Sequence, residues 1–368
     1  YASQKKSLKY TENLPTLPGS GPAGVGYFED QSSKYKENAL FGEIAIKPAP
    51  ALTLTAGARI FSYRDSTVTE VVDYAFDLVS GAVPAGDKGS AKSYFKFNAS
   101  YQFTPDLLAY YTISQGFRRG GANGFRTVAG LEPSAEALAY KPDTTDNFEL
   151  GVKGFLFDKR LYLQASVYQI DWQNTQTYFS QDISGFPVWG TINGPAAVSK
   201  GLEIESRFNV TPGWQLQHST TYNRARWDAT KEICLFANGT ACRTFERGGE
   251  LGGVPRIKHM LGVRWDGTLA SGLGLNASLR ARYTGKKLSD RSDGPDETVF
   301  TFDSYTLFNA SVGVSADKWD ANLWVENLTD KRALASFQGT SAVAERTGLR
   351  AIYVTPRTVG VNVSYKFR

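Results

Sequence analysis

The chain has 368 residues, with Lys+Arg 41 against Asp+Glu 36 and a formal charge of +5. That small excess gives no strong pull towards nucleic acid, and the absence of any uncharged apolar run near ~18 residues excludes a membrane protein built of helices. Aromatic content of 13% with low net charge excludes disorder, while a transmembrane β-barrel stays open because only alternate residues face lipid.

The chain begins at Tyr1, with no initiator Met and no charged-then-apolar leader. The expectation is a processed chain or a piece of something longer. Residues 1–35 read as an extracellular loop or the remnant of a preceding strand, and 36–368 as barrel wall. GVGYFED at Gly24 is the only apolar-aromatic stretch in the first part.

From residue 36 onward the pattern is strict alternation of apolar and polar residues, which predicts strands. Leu52, Leu54, Ala56, Ala58 and Ile60 oppose Thr53, Thr55, Gly57 and Arg59. Leu273, Leu275, Ala277, Leu279, Ala281 and Tyr283 oppose Gly274, Asn276, Ser278, Arg280 and Arg282. The last segment sets Val359, Val361, Val363, Tyr365 and Phe367 against Gly360, Asn362, Ser364 and Lys366. Thirteen segments are expected: 37–47, 51–64, 92–103, 107–117, 144–157, 160–177, 197–210, 213–226, 256–266, 272–284, 304–315, 319–328 and 356–367.

Short turns, such as TPD at Thr104, DKR at Asp158 and TPG at Thr211, alternate with long loops rich in Gly, Ser, Asp and Arg. A soluble sandwich or propeller does not explain that alternation, whereas an outer-membrane barrel does. In such barrels the short turns face the periplasm. The final strand then runs inward and ends at Arg368.

No catalytic constellation is present, and no motif asks for a cofactor. His218 and His259 lack metal-ligand spacing. Asp290, Asp293, Asp296 and Glu297 in DRSDGPDE lack the spacing of a calcium loop and read as a solvated acidic loop. No metal site is expected. Cys234 and Cys242 close the segment CLFANGTAC. That spacing suits a disulfide in an oxidising compartment, or leaves two separate thiols.

Several stretches resemble the C-terminal part of TonB-dependent outer-membrane receptors: ENALFGEIAIKPAPALTLTAGAR (37–59), YYTISQGFRRGGANG (110–124), YKPDTTDNFELGVKG (140–154), SKGLEIES (199–206), LWVENLTDKR (323–332) and PRTVGVNVSYKFR (356–368). The resemblance implies an all-β antiparallel transmembrane barrel of 22 strands, with a plug domain that this sequence does not contain. The thirteen segments would then be strands ten to 22. It also implies uptake of a scarce bulky solute, first of all a ferric siderophore, driven by the TonB-ExbB-ExbD complex. Further implied partners are outer-membrane lipid and lipopolysaccharide, the barrel-assembly machinery and the small-molecule cargo. Tyr365 and Phe367 resemble the terminal assembly signal, although Arg368 follows the aromatic. The rival reading is a passive diffusion channel, a closed barrel of fourteen strands with one more strand in residues 1–35.

Three long loops carry the ligand-binding candidates. The first offers Arg118, Arg119, Phe125 and Arg126 among glycines, able to clamp an anionic or aromatic chelate. The second presents Tyr178, Phe179, Phe186 and Trp189 for ring stacking. The third follows the cysteine pair with Arg243, Phe245 and Arg247. On the lumen side Glu203, Glu205, Arg207, Arg264, Arg280 and Arg282 are expected to pair across strands and, by the resemblance, to contact the plug.

Overall fold

The computed structural model describes residues 2–12, 27–73, 78–123, 131–183, 186–289, 300–338 and 350–367. They form one antiparallel sheet of fourteen strands in which each strand pairs with the next in sequence order. The strands are β1 (Ala2–Glu12), β2 (Tyr27–Ala49), β3 (Leu52–Asp73), β4 (Leu78–Thr104), β5 (Leu107–Arg118), β6 (Asp143–Leu156) and β7 (Leu161–Gln173). They continue as β8 (Ala197–Thr211), β9 (Trp214–Trp227), β10 (Ile257–Thr268), β11 (Gly274–Thr284), β12 (Tyr305–Ser315), β13 (Trp319–Glu326) and β14 (Thr358–Tyr365).

The sheet has one strand more than the alternation predicts. Ala2–Glu12 pairs along its whole length with Tyr27–Glu37. This segment, ASQKKSLKYTE, carries too few apolar residues to show a period of two. The stretch around Tyr27–Asp30, read as part of a loop, is the outer end of β2. β2, β3 and β4 run for 23, 22 and 27 residues. A tilted strand crosses the hydrocarbon in about 9–11 residues, so these three stand well above the membrane.

The alternation becomes two chemically different faces. On one, Leu40 and Ile60 are cross-strand partners exposed at 77% and 48%. Val312, Leu323 and Val361 continue that face in register across β12, β13 and β14. An exposed apolar band this broad is stable only against lipid. Aromatics gather at its lower rim: Trp214 is paired with Trp265, and Trp319 with Tyr365. Phe367 packs edge-on to Tyr365 with ring centroids 5.0 Å apart. The other face is polar and closely fitted. The Tyr110 ring covers Gly151 on the next strand and the Tyr168 ring covers Gly201, where any side chain would collide with the ring.

The ENLTDKR stretch closes the outer end of the last hairpin. Asn327, 2% exposed, donates to the carbonyls of Lys331 (3.0 Å) and Thr355 (2.9 Å) and accepts from the Lys331 N–H at 2.8 Å. Its backbone is left-handed, with φ of 49°, as is that of Asp330, a conformation Asn and Asp tolerate better than most residues. Asp330 accepts the backbone N–H of Arg357 at 2.9 Å. That bond, with the charges of Arg332 and Arg357, holds the exposed Asp330 carboxyl below the usual carboxylate range.

A carboxyl lowered by folding contributes its stabilisation above its unfolded pKa and loses it as pH falls through the folded value. Amide-exchange protection of Arg357 is therefore expected to hold at neutral pH and to disappear below about pH 4. Asp330→Asn removes that pH step. Asn327→Ala removes the bonds to the Lys331 and Thr355 backbone, worth about 0.5–1.5 kcal/mol each, and is expected to lower the unfolding temperature of the folded protein.

Candidate functional site

Three outer loops fold against each other above the inner face of β5 to β9. The loop after β5 contains the one-turn helix Ala135–Leu138, capped by Ser134. The loop after β7 is a hairpin, Gln176–Ile183 paired with Phe186–Asn193. The loop after β9 is a hairpin of Lys231–Cys234 with Cys242–Phe245. A disulfide joins Cys234 to Cys242 across that hairpin, which resolves the pairing left open by the sequence.

The loops share a hydrophobic core of Ala137, Phe179, Ile192, Ile233, Leu235, Phe236 and Phe245. Polar ties surround it. Ser134 donates to the Cys234 carbonyl at 2.9 Å, and Pro133 and Phe236 form a β-bridge. Asn123 donates to the carbonyls of Ala137 (2.8 Å) and Thr191 (2.6 Å) and accepts from the Thr191 N–H at 2.9 Å. One asparagine thus joins two loops.

This packing changes the role of two expected ligand contacts. Phe179 and Phe245 are 1% and 3% exposed, so their rings fill the loop core and offer no stacking surface. Tyr178 is half-buried. For Phe186 and Trp189 only the backbone pairing lies within the described residues, and Phe125 and Arg126 lie outside them. Asp290, Asp293, Asp296 and Glu297 also lie outside. Arg243 lies over the Phe245 ring at 4.7 Å, and Arg247 is 3.6 Å from Asp228.

Arg118 and Arg119 diverge. Arg118 places Nε 3.1 and 3.0 Å from the two oxygens of Asp143 and also donates through Nη2. Its guanidinium lies 5.0 Å from the Trp172 ring centroid. Asp143 is 1% exposed and accepts further bonds from Trp172 Nε1 (2.8 Å) and the Gln176 N–H (3.2 Å). Every charge-bearing oxygen of this buried carboxylate is matched, as burial demands. The group borders a cavity of about 530 Å³, lined also by Ile170, Val198, Leu251 and Val254. Its wall is largely apolar, with Arg118 and Asp143 as the charged pair.

Arg119 turns towards the first strands. It lies 4.7 Å from the Tyr35 ring centroid and donates to Gln4 at 3.3 Å. It borders a smaller polar cavity of about 190 Å³ with Lys6, Asp65 and Tyr140. Burial, and then the charge of Asp65, pushes the Tyr140 hydroxyl above its ordinary range, so it is a neutral hydrogen-bond donor at physiological pH. Two adjacent arginines thus serve two cavities of different chemistry.

The lumen charges pair differently from the expectation. Glu205 and Arg207 are 3.6 Å apart, and Arg264 meets Asp266 twice at 2.7 Å. Both pairs join residues two apart on one strand, which share a face, and neither bridges strands. Arg207 also covers the Tyr162 ring at 4.9 Å. Glu203, Arg280 and Arg282 lie on the same inner face, away from Leu202, Ile204 and Leu279. Both histidines converge on the Thr220 hydroxyl, at 2.7 Å from His218 and 2.8 Å from His259. No spacing in the sequence signals that meeting, because register across β9 and β10 creates it.

A wide antiparallel sheet with an apolar outer face, a polar inner face and interlocked outer loops defines an outer-membrane β-barrel protein. The chain belongs to the TonB-dependent receptors: the family described as "TonB dependent receptor-like, beta-barrel" matches residues 3–328. The pesticin receptor of Yersinia pestis is 25% identical over 376 aligned residues, covering 99% of this chain and 47% of that receptor. The catecholate siderophore receptor Fiu of Escherichia coli K12 is 24% identical over 275 residues, covering 74% of this chain and 32% of Fiu. Among solved structures, the ferric yersiniabactin uptake receptor FyuA from Yersinia pestis shares the fold, with a TM-score of 0.75 at 18% identity over 100% of this chain and 50% of that one. The chain therefore spans about half the length of these receptors.

Two outcomes test the loop assembly. Reduction, or Cys234→Ser with Cys242→Ser, is expected to cost the hairpin roughly 2.5 kcal/mol by loop-closure entropy. Limited proteolysis should then cut the outer loops faster while the barrel wall stays intact. Asp143→Ala leaves Arg118, the Trp172 indole N–H and the Gln176 amide without their acceptor. Exchange at Gln176 should then rise about tenfold or more.

Proposed function

We propose that this chain is barrel wall of an outer-membrane receptor that captures a ferric siderophore from outside for energy-coupled uptake. In the 22-strand arrangement implied by the sequence resemblance, fourteen strands ending at the last would begin at the ninth. The receptor and siderophore names of its relatives support this reading. The observation that carries it is the cavity beside Arg118, Asp143 and Trp172 under a stapled set of loops. An apolar wall with one cation over an aromatic ring suits a bulky chelate that presents aromatic rings and anionic oxygens. Arg119 and Tyr140 in the neighbouring polar cavity would meet its hydrogen-bonding edge. Transport would draw energy from TonB-ExbB-ExbD acting on a plug. Tyr365 and Phe367, exposed at the end of β14, would be read by the barrel-assembly machinery.

A passive fourteen-strand channel has the strand count in its favour. It requires β1 to pair with β14, and the sheet order places these two at opposite edges among the described residues. Uptake of ⁵⁵Fe-labelled siderophores by cells carrying the full-length gene separates the two readings. Uptake abolished by loss of TonB supports the receptor. Uptake that survives its loss, with stable single-channel conductance of the purified protein, overturns it. Within the receptor reading, Arg118→Ala is expected to weaken cargo binding about tenfold or more, the loss of one charge-assisted contact.

A further inference from the structure

We propose that the outer wall at β9 and β10 pairs two copies of this protein side by side in the membrane, through His218, Thr220 and His259. Leu216 and Leu261, exposed at 45% and 60%, mark the lipid-facing side of these strands. Residues in register on neighbouring strands share a face, as do residues two apart on one strand. His218 lies two residues beyond Leu216 and is in register with Leu261, and Thr220 is in register with His259. All three polar side chains therefore stand on the lipid-facing side. Apolar and aromatic residues enclose them, with Leu216 and Val263 below and Tyr222 and Ile257 above. Ser206 on β8, in register with His218, adds a hydroxyl to the same face.

The depth makes this patch unusual. Thr220 lies six residues beyond Trp214 of the lower aromatic rim. That is roughly 20 Å along the strand and about 14 Å in height for a strand tilted about 45°. The apolar band of such a barrel is about 25 Å tall, so the patch sits near its middle. Histidine facing hydrocarbon is unfavourable, and ionisable side chains at that depth mark functional positions.

Hydrogen-bond counting then defines what the patch lacks. The Thr220 hydroxyl is 2.7 Å from His218 Nε2 and 2.8 Å from His259 Nδ1. It has one proton, so it donates to one ring and accepts from the other. Neither ring has a further hydrogen-bond partner among the described residues. An imidazole in hydrocarbon carries one N–H and one bare nitrogen. The ring that donates to Thr220 is left with a bare acceptor, and the ring that accepts from it is left with an N–H. Whichever tautomers are present, the wall offers one donor and one acceptor.

Acyl chains satisfy neither group, whereas a second copy satisfies both. Two upright copies in one bilayer are related by a two-fold axis along the membrane normal. That axis sets β9 of one copy against β10 of the other. His218 of one copy then meets His259 of the other, donor to acceptor, and the same contact recurs across the axis. Ala281, in register with Leu261, is a small residue beside the patch that lets the two walls approach. The inference goes beyond cargo uptake and does not depend on which solute is carried.

The test is crosslinking of the full-length protein in outer membranes, before any detergent. Leu261→Cys is treated with a short bismaleimide, with the protein lacking that change as the blank, since Cys234 and Cys242 are held in their disulfide. A product of twice the monomer mass is expected. Leu40→Cys on the distant wall of β2 should give none. Adding His218→Leu and His259→Leu to Leu261→Cys should lower the dimer about tenfold, through loss of both contacts between copies. Each single change should lower it as well, because either one breaks both contacts in a homodimer. Co-expressing the two single variants should restore much of the product, because one His218–His259 contact re-forms. Heat-modifiable migration checks that each variant is folded, and the single variants stand in if the double one is not. No product from Leu261→Cys, a product of any other mass, or an equal product from Leu40→Cys overturns the proposal. So does an undiminished dimer in a folded histidine variant, or no recovery on co-expression.

Discussion

The backbone hydrogen bond governs this structure. In hydrocarbon an unpaired N–H or C=O costs several kcal/mol, so a chain of this composition crosses lipid only as an extended sheet in which each strand serves its neighbours. That requirement explains why fourteen consecutive strands pair in simple sequence order. It also leaves side chains free to differ on the two faces. The outer face becomes apolar and rimmed with aromatics, and the inner face becomes polar, with glycines seated under tyrosine rings.

The loops obey a different rule. Outside the membrane, water drives apolar groups together, so the long connections build a core of their own. Phe179, Phe236 and Phe245 belong to that core, and the disulfide staples the hairpin that carries most of it. The core sets where the loop after β5 lies. Arg118 meets Asp143 as its cross-strand partner at the end of β5, and Arg119, the first residue of that loop, turns to Tyr35. The candidate binding cavities are lined by the wall strands together with one loop each, the loop after β9 beside Arg118 and the loop after β5 beside Arg119.

Alternation with a period of two made strands and faces legible from the residues alone, including the last strand and its outward Val359, Val361 and Val363. It failed at Ala2–Glu12, where lysines and serines mask the period and pairing with β2 alone makes the strand. The ENLTDKR stretch was visible as a pattern, but its task was not. Only the meeting of Asn327 with Lys331 and Thr355 shows that it ties the last hairpin shut. Phe179 and Phe245 looked like ligand contacts because loop aromatics attract that reading, and burial gave them another role.

The sequence by itself determined the faces of the thirteen strands whose residues alternate, because neighbouring side chains on an extended chain must point opposite ways. It also placed the tight turns, but not every long loop: residues 65–73 and 78–91, expected as a connection, extend two strands beyond the membrane. Only the tertiary structure decided which residues meet: Arg118 with Asp143, Asn123 with Thr191, and His218 with His259 at Thr220. Strand register and loop packing are properties of segments acting on one another. No single stretch of the chain contains them.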